Sequence, residues 1–131
     1  MDAPKKLVRF DTYVKRHPSL TVEEFHRQWT EVHAQLLKHW LECHGVHRYT
    51  IFHPLRSEQG HHIGPAAAPS TLDFDGHAEI LVDSLDIIKA LQEDPYYKAV
   101  IEPDESNLID FQSVRHIIGY EEVWVLDGKA V

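Results

Sequence analysis

The 131-residue chain has a single cysteine, Cys43, so no internal disulfide can form and nothing points to an oxidising compartment. It has neither a CxxC pair nor an HExxH helix. Eleven histidines invite a metal reading, with His39 and Cys43 one helical turn apart and His61 next to His62. Adjacent residues seldom ligate one ion in a structural site, however, and no native metal is expected. Nucleotide-binding glycine patterns and a GxSxG elbow are also missing, which argues against nucleotide cofactors and serine-hydrolase chemistry. No cofactor is expected. No apolar run reaches the 18 residues that suggest a membrane helix, and no apolar leader segment stands near Met1, so a cytoplasmic location is the expectation. Basic runs are scarce as well, Lys5, Lys6 and Arg9 being the densest, while the formal net charge is −8. That balance disfavours nucleic-acid and anionic-membrane partners.

What the chain does contain fits one domain spanning residues 1–131 with enough apolar residues for a core. In residues 6–15, Val8, Phe10, Thr12 and Val14 alternate with Leu7, Arg9, Asp11 and Tyr13, the period of a strand. Thr21 followed by Glu24 forms a capping box. From there Val22, Phe25, Trp29, Val32, His33, Leu36, Leu37 and Trp40 form one apolar stripe, which predicts a helix ending at Gly45. Strands are predicted at 46–53, 77–83 and 114–126, and a second helix carries Ile87, Ile88, Leu91 and Tyr96 or Tyr97. Pro103-Asp104-Glu105 reads as a turn or short helix, and the Gly- and Pro-containing stretch 57–74 as a long loop. The order β-α-β-β-α-β implies an α+β, ferredoxin-like unit: a four-stranded antiparallel sheet with both helices on one face. Its other face needs a cover, and a second copy of the chain is the simplest, so a homodimer is expected.

His33 stands out chemically. It lies inside the apolar stripe, where low dielectric can tune its pKa for acid or base work; an imidazole there can equally bond a backbone carbonyl as part of an ordinary core. Tyr49 and His53 share one face of the second strand, and Glu79 lies on the third. These four form the candidate catalytic set, in which Glu79 or Asp75 would orient the His33 ring. Phe25, Trp29, Trp40, Phe52, Tyr96 and Trp124 are candidates for the walls of an aromatic pocket, with Asp75 as a polar contact.

The segment LTVEEFHRQWTEVHAQLL (20–37), together with DGHAEILVDS (75–84), DPYY (94–97), PDE (103–105) and GYEEVWV (119–125), resembles the EthD family of dimeric α+β-barrel proteins, in the form found in fungal secondary-metabolite clusters. The resemblance runs from about residue 6 to 126. It implies a homodimer with a pocket between sheet and helices, and His33 matches the characteristic helix histidine. It also implies cofactor-independent decarboxylase, dehydratase or cyclase activity on a small aromatic polyketide. A cofactor-free oxygenase of the anthrone type and a non-catalytic binder of hydrophobic compounds are the alternatives.

Overall fold

The computed structural model describes residues 6–55 and 72–131; the predicted loop 57–74, with His61 and His62, lies almost wholly outside them. Strand β1 (Val8–Arg16) leads into α1 (Val22–Gln28), a π-helical turn at Trp29–His33, and α2 (Ala34–Cys43). Strands β2 (Arg48–Phe52) and β3 (Gly76–Val82) follow. Then come α3 (Leu85–Glu93), a second π turn at Tyr97–Ile101, and α4 (Glu102–Leu108). Strand β4 (Ile109–Gly119) completes a four-stranded sheet of order β2-β3-β1-β4, with all pairings antiparallel. This is the expected α+β, ferredoxin-like arrangement. The last strand differs from the 114–126 expectation: it starts at Ile109, and Val125–Leu126 (β5) instead pairs with Lys129–Ala130 (β6) in a separate hairpin.

The long helix begins as its sequence dictates. Thr21 accepts a hydrogen bond from the Glu24 amide at 3.1 Å, and Gly45 closes the far end with φ +81°. Its inward residues, Phe25, Trp29, His33, Leu37 and Leu41, are all buried and recur every fourth position. In an unbroken α-helix each four-residue step drifts by about 40°, because a turn takes about 3.6 residues. The wider π turn, closed by the Ala34 N–H on the Trp29 carbonyl, takes up part of that drift and keeps Trp29 and His33 on the sheet-facing side. The second π turn is closed in the same way, by Glu102 N–H on the Tyr97 carbonyl.

Two apolar clusters fix the layers. One gathers Leu37, Leu41, Val82, Ile88, Leu91 and Ile101; the other gathers Val14, Phe25, Trp29, Leu108 and Ile109. The helix-facing side of the sheet carries Phe10, Thr12 and Val14 from β1, Tyr49 from β2, and Ala78 and Ile80 from β3. Strand alternation sends Arg9, Asp11, Arg48, His77 and Glu79 to the opposite side, where they form an ion-pair network. No described helix is long and apolar enough to cross a membrane.

Gly76 sets how closely the helix approaches the sheet. A Cβ there would overlap the six-membered ring of Trp29 and press on Phe25. Gly76→Ala is therefore expected to destabilise the fold by roughly 1–3 kcal/mol through overpacking, read as a lowered urea midpoint with unchanged slope.

Candidate active site

A cavity of about 240 Å³ lies between the inner sheet face and the helices, and its wall combines apolar side chains with a few polar ones. Trp29, His33 and Trp40 come from the long helix, Tyr49 from β2, Tyr97 from the second π turn, Glu105 from α4 and His116 from β4. The Trp40 indole N–H is held outward by Asp94 at 3.0 Å, so its ring is an apolar wall.

His33 is 5% exposed, and its Nδ1 lies 2.8 Å from Oδ2 of Asp104. Burial lowers its pKa below the ordinary imidazole value, against the opposing pull of Asp104. A neutral ring facing a carboxylate places its proton on Nδ1, so Nε2 keeps a lone pair. No described residue bonds Nε2, and His33 lines the cavity. Such a geometry can take a proton from a bound molecule.

Tyr49 accepts a hydrogen bond from the Trp29 indole N–H at 3.1 Å. Burial pushes its pKa up to about 12, so the phenol stays protonated and can donate. Next to it is a second acid, Glu105, whose pKa is raised to about 7 by burial and by the charges of Glu102 and Asp104; a hydrogen bond from Tyr97 offsets part of this rise. Oε1 of Glu105 is buried with no partner among the described residues.

Of the expected site residues, His33, Tyr49, Trp29 and Trp40 line the cavity. The others sit elsewhere. Glu79 lies on the opposite sheet face, bound by Arg9 at 2.6 Å and Arg48 at 3.1 Å, because β3 alternates and Ala78 and Ile80 take the inner positions. Asp75 is 2% exposed and receives the Arg16 amide at 2.9 Å and guanidinium at 3.1 Å, which ties β1 to the entry of β3. His53 lies past the end of β2 with its Nδ1 2.6 Å from His26 Nδ1. Phe25 is fully enclosed in the second apolar cluster. Phe52, 63% exposed, has the parity opposite to Tyr49. Tyr96 donates to the Leu36 carbonyl at 2.8 Å and packs on Trp40 from outside, leaving the wall position to Tyr97. Trp124 is 69% exposed.

Asp104, Glu105 and Tyr97 were missed as site residues. A signal for Glu105 did exist: it falls four residues after Ile101 and three before Leu108, both buried, and so on the inward stripe of α4. Asp104 carried no such signal, since only tertiary packing brings it to His33. As for metal ligands, Asp11, His77 and Glu79 hold donor atoms within 4.8 Å of one another. Arg9 already bonds both carboxylates, at 2.7 Å and 2.6 Å, and supplies the cation there.

The EthD domain model matches residues 17–112. The chain belongs to the EthD family. It is 27% identical over 119 residues to the decarboxylase nsrE of Aspergillus novofumigatus, an alignment covering 88% of this chain and 78% of that protein. It is 26% identical over 130 residues to the dehydratase aurZ of Gibberella zeae, with 98% and 86% covered. Among solved structures, a dimeric protein of unknown function with a ferredoxin-like fold from Bacteroides fragilis matches with a TM-score of 0.58 at 11% identity, over 88% of this EthD chain and 96% of that one.

The buried acid has a thermodynamic consequence. Glu105 binds its proton more tightly folded than unfolded, so stability falls as pH rises from about 4.5 to about 7, and the penalty is complete above that. Glu105→Gln removes the charge and keeps the shape. It should raise stability by roughly 1–3 kcal/mol at pH 8 and change it little at pH 4, measured by denaturant titration at both values.

Proposed function

We propose that this EthD protein is a cofactor-independent lyase acting on a small, aromatic, polyketide-type compound by proton transfer at His33. The observation that carries the reading is the 2.8 Å contact between His33 Nδ1 and Asp104 in a buried site, which fixes the tautomer and leaves Nε2 as a base facing the cavity. The carboxylate orients the ring and stabilises the imidazolium formed after proton abstraction. Apolar walls from Phe10, Trp29 and Trp40 suit a flat ring system, and the Tyr49 phenol can polarise its carbonyl. A compound already able to delocalise a carbanion into a neighbouring carbonyl needs mainly positioning and one proton relay. Relatives bearing decarboxylase and dehydratase names, at 27% and 26% identity, support the lyase class.

The homodimer is part of the same reading. Ile117 and Phe52 are exposed on the sheet face away from the helices, and Trp124 and Val125 are exposed near the hairpin; a second copy would cover them. The dimeric Bacteroides fragilis protein of this fold supports that assembly.

His33→Gln is expected to lower kcat by roughly 10²–10⁴-fold with the fold intact by circular dichroism. Asp104→Asn should lower the plateau rate as well. It should also move the acidic limb of the pH–rate profile, which rises as His33 loses its proton, to lower pH, because Asp104 is the group that holds that pKa up. A His33→Gln protein with full turnover rules the mechanism out.

A further inference from the structure

We propose that Glu105 is the acid partner of His33, protonating the departing hydroxyl of a β-hydroxy carbonyl compound, so that the reaction served by this cavity is loss of water from an uncharged substrate. This rests on the reading of His33 as the base and adds the leaving-group side of the reaction.

The geometry of the carboxyl supports it. Glu105 lines the same cavity as His33. The Tyr97 phenol lines the cavity beside it, and Oε1 is buried without a partner among the described residues. An unsatisfied buried polar atom costs on the order of 1–3 kcal/mol, and a bound hydroxyl would supply the missing bond. A proton carried on Oε1, the oxygen lacking a partner, would be free to meet that hydroxyl. Near neutral pH a substantial share of Glu105 is protonated, so it has a proton to give.

Charge argues for an uncharged substrate. Among the described residues no lysine or arginine lines the cavity, and Asp104 and Glu105 are consecutive on α4. A substrate carboxylate would enter a low-dielectric space next to acidic groups with no cation to meet it. A hydroxy ketone meets no such penalty. In the step itself, His33 Nε2 takes the proton on the carbon between carbonyl and carbinol while Tyr49 donates to the carbonyl oxygen. The C–H electrons form the new C=C bond, the C–O bond breaks, and the Glu105 proton goes to the leaving oxygen. The products are an enone and water, and the proton gained by His33 restores Glu105 through solvent.

Three probes test this with the full chain: the aldol adduct of acetone and benzaldehyde, its O-acetyl ester, and benzoylacetic acid. Acetate leaves without a proton, so the ester bypasses the acid. Wild-type protein is expected to convert adduct and ester to benzalacetone and to leave the decarboxylation of benzoylacetic acid at its uncatalysed rate. Glu105→Gln should lose roughly 10²–10⁴-fold on the adduct and keep most of its rate on the ester. Glu105→Asp, which retains the proton, should recover part of the adduct rate, and His33→Gln should lose both. Equal losses on adduct and ester in Glu105→Gln, no loss on either, no wild-type elimination, or acceleration of benzoylacetic acid decarboxylation over buffer without dehydration would each overturn the proposal. A selective loss in Glu105→Gln with full activity in His33→Gln would remove the base and leave Glu105 standing.

Discussion

The hydrogen bond between His33 and Asp104 holds the site together, because the buried imidazole needs a partner and the half-buried carboxylate supplies it. A buried imidazole without a partner at Nδ1 would leave its tautomer undefined. Its partner comes from a helix 71 positions later in the chain. Joining them fixes where α4 lies against the long helix, and this in turn brings Glu105 and Tyr97 to the cavity.

The two π turns serve the same end. Wide turns of this kind are rare and occur frequently at functional sites. Here one contains His33 and the other begins at Tyr97, and both residues line the cavity. Each shifts the helical phase just where a polar side chain has to face an apolar interior. Gly76 completes the arrangement on the sheet side: the absence of a Cβ lets Trp29 lie on β3, and from there its indole N–H reaches Tyr49.

The fold was largely legible in the sequence because its signals are local. The Thr21–Glu24 cap, the stripe from Phe25 to Trp40 and the alternation in β1 each report their own element. Elements that depend on distant partners were less so. β4 extends back to Ile109 because it pairs along β1, where Arg16 faces Ile109, and a periodicity count starting at Val114 does not contain that information. The site follows the same division. His33 and Tyr49 could be picked out because a polar residue on an apolar face is visible in one dimension. Glu79 looked equivalent to Tyr49 until the register put it opposite Asp11 and Thr50, on the far side of the sheet. The parity of a strand is readable, but which parity faces the helices is decided by packing.

That choice of face also separates two kinds of carboxylate. On the outer side, Asp11, Glu79 and Glu121 are matched by Arg9 and Arg48, and the pKa values of Asp11 and Glu121 are held below the usual carboxylate range. On the inner side, Glu105 has neighbours that are acidic or phenolic, and its pKa moves the other way. The same residue type is thereby held as an anion on one face of the sheet and brought to titrate near neutral pH on the other. With four acidic side chains and two arginines arranged in this way, the sheet acts as a partition. Structural charge is neutralised on the side that needs a cover, and among the described residues the inner cavity is left with titratable groups and no lysine or arginine. Such an interior is suited to moving protons on a neutral molecule.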